Sequence, residues 1–278
     1  MLAKPRLLPL LMLSAWGSMV LAHGGPPPLG LTLWTMVGGA LAAAAGFILN
    51  QYLERDLDAL MDRTASRPLA GRSEGSLLVP LVAVVLLGLA VALLWLRVNA
   101  LTALLALAAS AFYVGVYTLL LKRRTVHNTL IGGLAGALPI LIGWTAVGAS
   151  LLSAALLVVI AVLILWQPPH FWALALLHRK DYLAAGLPML PVVRSERNTK
   201  RQCVAYVVAT AAVALLLPVT TPLHWAYLLV ASVLGACFVG AAVALLRSSD
   251  ERAARWLFRI SVLYLGLLFV ALVLGVLL

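Results

Sequence analysis

Apolar residues run along this chain in unbroken blocks, too long to be the one-sided stripes of a soluble bundle. Nine blocks can be drawn, at roughly 6–23, 29–50, 77–96, 99–120, 127–147, 151–178, 202–219, 224–246 and 257–278. A helix crosses the hydrocarbon core with about 20 residues, so most of the blocks suffice, and the first and seventh are short. Between them lie short polar gaps, and no stretch reads as a soluble domain. In lipid a spanning backbone must satisfy its own hydrogen bonds, which favours helices here. The pattern predicts an all-α polytopic membrane protein: one nine-helix transmembrane domain over residues 1–278. Composition agrees, because 64% of the 278 residues are hydrophobic and only 10% are charged. Mean hydropathy is +1.07, and a soluble fold of this length needs far more polar surface.

Charge sets the orientation. With the N-terminus in the cytoplasm, Lys4 and Arg6 and the gaps after the second, fourth, sixth and eighth blocks hold 19 of the 20 basic residues. Only Arg97 falls on the other face. That distribution satisfies the positive-inside rule and puts the C-terminus outside. All nine acidic residues share the cytoplasmic side, which the rule does not require. Chemistry is therefore expected at that face. The net charge of +11 does not imply a nucleic-acid partner, since so little chain lies outside the apolar blocks to form a groove. It implies membrane lipid and anionic ligands. Cys203 and Cys237 stand apart in apolar blocks, without the spacing of a disulfide framework or zinc site. The first block carries Val20-Leu21-Ala22, which looks like a leader cleavage site, but is expected to be a retained helix.

The acids are not spread evenly. The run NQYLERDLDALMDRT at residues 50–64 holds four of the nine. If the second helix continues through it, Asn50, Glu54, Asp58 and Asp62 recur every four residues and form one stripe, with Asp56 pointing elsewhere. Like charges at that spacing repel, and a helix C-terminus disfavours anions. Such a stripe is stable when cations cover it, either Arg55, Arg63 and Arg67 nearby or a metal. Oxygen ligands select a hard cation, and Mg²⁺ commonly takes one or two carboxylates with substrate phosphate completing its shell. Arg63, Arg67, Lys122 and Arg123 supply groups that bind phosphate oxygens. Together they describe a metal-assisted diphosphate site.

A third cluster, WQPPHFWALALLHRKDY at 166–182, places His170, His178 and Asp181 where one helical face could hold them. Pro168-Pro169 is expected to loosen the helix there. A histidine inside a membrane helix is a functional candidate, although packing is its commoner role.

NQYLERDLDALMDRTASRPL resembles the first aspartate-rich motif, N-x-x-x-D-x-x-x-D followed by R-T-x-x-R-P, of the UbiA superfamily of intramembrane prenyltransferases. The segments YTLLLKRRTVHNTLIGGLAGALPILIGW and WQPPHFWALALLHRKDYLAAGLPMLPVV are similar to its protohaem IX farnesyltransferase, or haem O synthase, branch. The resemblance spans about residues 1–200, and the last three helices match only in hydropathy. It implies a nine-helix bundle in a bacterial-type inner membrane, with the site at the cytoplasmic face. It also implies Mg²⁺-dependent transfer of farnesyl from farnesyl diphosphate to a vinyl group of haem b, giving haem O for haem-copper oxidases. The catalytic set would be Asn50, Glu54, Asp58, His170 and Asp181, with the metal on Asn50, Glu54, Asp58 and Asp62. Arg63, Arg67, Lys122 and Arg123 would hold the diphosphate, and a haem-handling membrane partner is compatible with this role. Glu54 departs from the motif, replacing its first aspartate with a longer carboxylate.

Other functions fit less well. A sister prenyltransferase acting on a quinone precursor or another aromatic or tetrapyrrole acceptor would share the diphosphate site. A cation transporter would want its charges at midplane rather than at the rim. A haem electron carrier on His127 and His170 would leave the acids unexplained.

Overall fold

The computed structural model describes residues 8–71, 77–248 and 250–278. Lys4, Arg6, Arg72 and Glu74, counted above in the charge topology, lie outside the described residues. All regular structure described is helical. The chain opens with α1 (Leu8–His23), apolar but only 16 residues long. Then come α2 (Leu29–Leu53), the short α3 (Arg55–Ala59), α4 (Leu78–Arg97) and α5 (Ala100–Leu121). The C-terminal part of α5, Phe112–Leu121, is a π-helix. Next are α6 (Asn128–Ala146), α7 (Ala154–Leu177), and the short α8 (Arg179–Ala184) and α9 (Leu190–Val193). The last part comprises α10 (Glu196–Ala214), α11 (Leu217–Thr220), α12 (Trp225–Arg247) and α13 (Glu251–Leu277). Among the described residues eight helical spans are long and apolar enough to cross a membrane, and α1 is a shorter apolar helix beside them. The chain is a multi-pass membrane protein.

Two spans extend past their apolar blocks. α10 begins at Glu196, where Ser195 Oγ accepts from the Asn198 N–H at 3.2 Å. α13 begins at Glu251, with Asp250 Oδ1 accepting from the Arg252 N–H at 2.8 Å. Hydropathy misses these polar first turns, which capping side chains stabilise by satisfying orphan amides. The double proline does not open α7. The helix runs through Pro168 and Pro169, and both rings are buried with Trp166, Trp172 and Ala173. Packing on both sides holds the helix where proline removes backbone donors.

α2 packs on α4, α1 on α6, α10 on α7 and α12 on α13. Apolar surface alone does not drive helices together in lipid, so close approach through small residues matters. At the α1–α6 crossing, Gly143 has no room for a side chain. A Cβ there would meet the Ala15 carbonyl oxygen at 2.0 Å, and Ser18 Oγ donates to the Ile140 carbonyl at 2.9 Å. The main core joins α1, α6, α7, α10, α12 and α13, filled by Trp172, Tyr227, Phe238, Tyr264 and Phe269. A second cluster at the charged end of the bundle buries Leu57, Met61, Ala175, Tyr182, Leu187 and Met189 together. It packs the segment after α2 against α7 and α8.

Candidate active site

The acidic run is built by a helix that breaks without losing register. α2 ends at Leu53, and Glu54 takes φ −102° and ψ 11° before α3 starts. Across this joint the Glu54 N–H still donates to the Asn50 carbonyl (3.0 Å), and the Asp58 N–H to the Glu54 carbonyl (2.8 Å). Asn50, Glu54 and Asp58 therefore stay stacked, each 1–2% exposed. The expected four-residue stripe stops there. α3 ends at Ala59, and Asp62 lies exposed in the turns beyond it. The chain turns because Leu57 and Met61 enter the second core, while Thr64 Oγ1 donates to the Asp58 carbonyl at 3.0 Å. Gly71, at φ +69°, closes the loop by donating its N–H to the Arg55 carbonyl at 3.0 Å. Few residues other than glycine tolerate that φ.

This turn carries Arg67 back onto Asp58, where Nη1 contacts both carboxylate oxygens at 2.8 and 2.9 Å. From the end of α5, Lys122 Nζ sits 2.6 and 2.7 Å from the two oxygens of Glu54. The two buried carboxylates are thus each clamped by one of the chain's own cations. Arg123 makes a fork on Asp56, at 2.9 and 2.8 Å, in the open. Partial burial pushes the Asp56 carboxyl up. The hydrogen bonds and charge of Arg123, together with backbone hydrogen bonds at Leu57 and Asp56, outweigh it and hold the group below its ordinary value. Arg55 lies over the Tyr52 ring, 4.6 Å from its centre.

Asp181 joins the cluster from α8. Its Oδ2 accepts from the Arg63 backbone N–H at 3.4 Å and lies 3.7 Å from His178 Nδ1. The Arg63 guanidinium is 6.0 Å from the centre of the Tyr182 ring. Partial burial lowers the His178 pKa. The charges of Arg63 and Arg255 add to this, against the opposing pull of Asp181 and Glu251. The sequence set His170, His178 and Asp181 on one helical face. The structure keeps His178 and Asp181 together but parts His170 from them, because α7 stops at Leu177 and His178 turns the chain into α8. His170 faces α13 instead, stacked between Trp166 and Phe258 at centroid distances of 4.5 and 4.7 Å.

Several side chains around the cluster carry no signal in the apolar pattern. Thr118 Oγ1 accepts from Asn50 Nδ2 at 3.1 Å and donates to the Tyr113 carbonyl at 2.9 Å. The π-helix stacks Tyr113 on Tyr117 at 5.8 Å. Glycines of α6 make room beside them. A Cβ on Gly132 would strike Tyr117, and one on Gly136 would lie 1.6 Å from Gln167 Nε2. Gln167 is 7% exposed. The available signal is Tyr113-x-x-x-Tyr117-Thr118 just ahead of Lys122, but nothing in the residues themselves announces a π-helix. Such segments occur often at functional sites.

Among the described residues no three of His, Cys, Asp and Glu form a ready-made metal cage. Two buried carboxylates with an amide four residues before them form a different kind of donor set. It suits a hard cation that completes its shell with water and substrate phosphate. The two clamping cations, with Arg63 beside them, suit the phosphate.

The UbiA prenyltransferase family matches residues 10–277. The chain belongs to that family. A protoheme IX farnesyltransferase of Symbiobacterium thermophilum is 49% identical over 99% of this chain and 92% of its own length. One from Marinobacter nauticus is 43% identical over 98% of this chain and 89% of its own. Another, from Roseiflexus castenholzii, is 46% identical over 98% of this chain, but the chain spans about half (51%) of that relative's length. Solved UbiA structures share the fold. A UbiA homologue of Aeropyrum pernix K1 superposes with a TM-score of 0.76 at 17% identity, covering 98% of this chain and 97% of its own. One from Archaeoglobus fulgidus, bound to DMAPP and Mg²⁺, gives 0.66 at 17% identity over 96% of each chain.

Proposed function

We propose that this chain is a protohaem IX farnesyltransferase, moving farnesyl from farnesyl diphosphate to a vinyl group of haem b and yielding haem O. The observation that carries the reading is the pair of clamped carboxylates, Glu54 with Lys122 and Asp58 with Arg67, at the charged end of a UbiA-type bundle. The relatives' names supply the acceptor.

On this reading Glu54 and Asp58, with the Asn50 amide oxygen beside them and Asp181 nearby, would hold the divalent metal. Lys122 and Arg67 are released to the phosphate oxygens, and Arg63 and Arg123 add to the positive rim. Mg²⁺, when bound, neutralises charge on the leaving diphosphate. The C1–O bond of the farnesyl ester breaks, the electron pair leaves with diphosphate, and an allylic cation remains. Positive side chains fixed in advance at the leaving group favour this ionisation. The apolar interior keeps the cation from premature hydrolysis. The vinyl group donates its π electrons to C1, forming a C–C bond. Water then adds to the resulting cation beside the ring and loses a proton, leaving a hydroxyethylfarnesyl substituent. Asp62, exposed beyond α3, would stand outside the ligand set.

The same reading makes residues 1–278 one catalytic domain in a bacterial-type inner membrane, with the site facing the cytoplasm. A haem-handling membrane partner would receive the product. The test is to incubate purified protein with haem b, farnesyl diphosphate and Mg²⁺, with and without EDTA, and weigh the porphyrin. A metal-dependent gain of one farnesyl plus one water supports the assignment. Unchanged haem from folded protein overturns it, and quinone-type acceptors are then assayed.

A further inference from the structure

The aromatic slot around His170 contains a proton arrangement that specifies one form of the ring. Ser261 of α13 has a single hydroxyl proton. Its Oγ lies 2.7 Å from the Phe258 carbonyl oxygen, which can only accept, so the proton goes there. The same Oγ lies 2.7 Å from His170 Nδ1. With its own proton committed, the hydroxyl must accept, and Nδ1 must carry the hydrogen. The neutral imidazole is thereby held with its lone pair on Nε2. Rings on both sides prevent it from turning: Trp166 at 4.5 Å and 18° and Phe258 at 4.7 Å and 23°. Trp166 is itself pinned, its Nε1 donating to the Ser261 backbone carbonyl at 2.7 Å.

Nothing among the described residues takes up Nε2. No hydrogen bond or ion pair among the described residues reaches it. The imidazole is partly rather than fully enclosed. A neutral imidazole with one nitrogen donating to an oxygen and the other presenting a lone pair is the usual state of a metal-ligating histidine. The donor side sets the tautomer and raises the basicity of the ligand side. Flat aromatic neighbours suit a macrocycle. His170 lies on α7, seven residues or about 10 Å before its end at Leu177. A second anchoring point at that depth lets one substrate group sit at the rim and another inside.

We propose that Ser261 is a positioning residue that fixes His170 as the Nδ1–H tautomer, so that His170 Nε2 ligates the iron of the acceptor haem. This rests on the haem reading above and assigns a role to α13, which sequence resemblance did not reach.

The test is spectroscopic. Ferrous haem b is added to purified wild-type protein in nanodiscs, and the iron–histidine stretching band and visible spectrum are recorded. His170→Ala, Ser261→Ala and Ser261→Thr are compared, with farnesyl transfer measured in parallel. Wild type is expected to show the histidine band. His170→Ala loses it, and added free imidazole restores it. Ser261→Ala keeps the Trp166 bond to the backbone carbonyl, so the slot persists. Its band moves to lower frequency and haem binds about tenfold or more weakly, the usual scale for losing such a partner. Ser261→Thr, which keeps a hydroxyl, returns the band towards its wild-type position. An effect on folding alone would lower the unfolding midpoint without moving the band. If wild type farnesylates haem b yet shows no histidine band, or Ser261→Ala leaves the band unmoved, the proposal falls while the activity stands. If wild type neither binds nor farnesylates haem b, the functional reading falls with it.

Discussion

The clamps on the acids predict an unusual response when one is removed. Lys122→Met keeps the length of the side chain and deletes the charge that holds Glu54 at 2.6 and 2.7 Å. Glu54 is 2% exposed and Lys122 is 16% exposed. Removing one partner of a buried pair costs about 3–5 kcal/mol, and the partial access of water at Lys122 favours the lower figure, about 3. The metal-free variant should lose about that much stability. In the wild type the same ammonium opposes a divalent cation arriving alone. Deleting it should raise affinity for metal without diphosphate by about 10²-fold, the equivalent of about 3 kcal/mol. Affinity for diphosphate should move the other way, by about 10–100-fold, for a lost charge-assisted hydrogen bond of about 1.5–3 kcal/mol. The assay is thermal unfolding in Mg²⁺ or Mn²⁺ alone and with inorganic pyrophosphate, because a ligand that binds the folded state raises the midpoint by mass action. Metal alone should raise the midpoint of Lys122→Met strongly and that of wild type little, whereas metal with pyrophosphate should favour wild type. If metal alone raises both midpoints equally, Glu54 is not a metal ligand and the exchange of partners is wrong.

Four further outcomes follow from the geometry. Gly143→Ala drives a Cβ to 2.0 Å from the Ala15 carbonyl on another backbone, so α1 must shift; a loss of about 2–3 kcal/mol is expected in reversible unfolding. Gly136→Ala meets only the end of Gln167, which can swing away, and should cost less than Gly143→Ala in the same assay. Asp58→Asn leaves Arg67 without its charge partner and weakens the metal donor set; kcat/KM for farnesyl transfer should fall about 10²-fold or more, with haem binding retained. His178 has a folded pKa below its ordinary 6.5, so folding favours the neutral ring. Its contribution is complete above about 6.5 and is lost as pH falls and the unfolded chain takes up the proton. Unfolding midpoints should therefore decline below about pH 6.5 in wild type and decline less in His178→Asn.

The class of molecule was legible from the residues alone, because burial in lipid demands long apolar runs and expels charge to their ends. For the same reason the charged end could be located from a count of Lys and Arg, and the acids at 50–64 could be picked out as candidates. Spacing along a helix was sufficient for Asn50, Glu54 and Asp58, since their i→i−4 hydrogen bonds survive the break at Glu54. It failed at Asp62, where Leu57 and Met61 turn the chain into a core that no local pattern encodes. It failed again at His178, where α7 ends, and at Pro168-Pro169, where packing holds α7 intact. Which cation meets which acid was beyond sequence altogether. Lys122 and Glu54 are 68 residues apart, and only the packing of α5 beside α2 joins them. His170 could be flagged by its type, but its tautomer depends on Ser261, 91 residues away on α13. Local periodicity is set by neighbours three and four positions along the chain, whereas ion pairs and proton positions are set by whichever helix packs alongside.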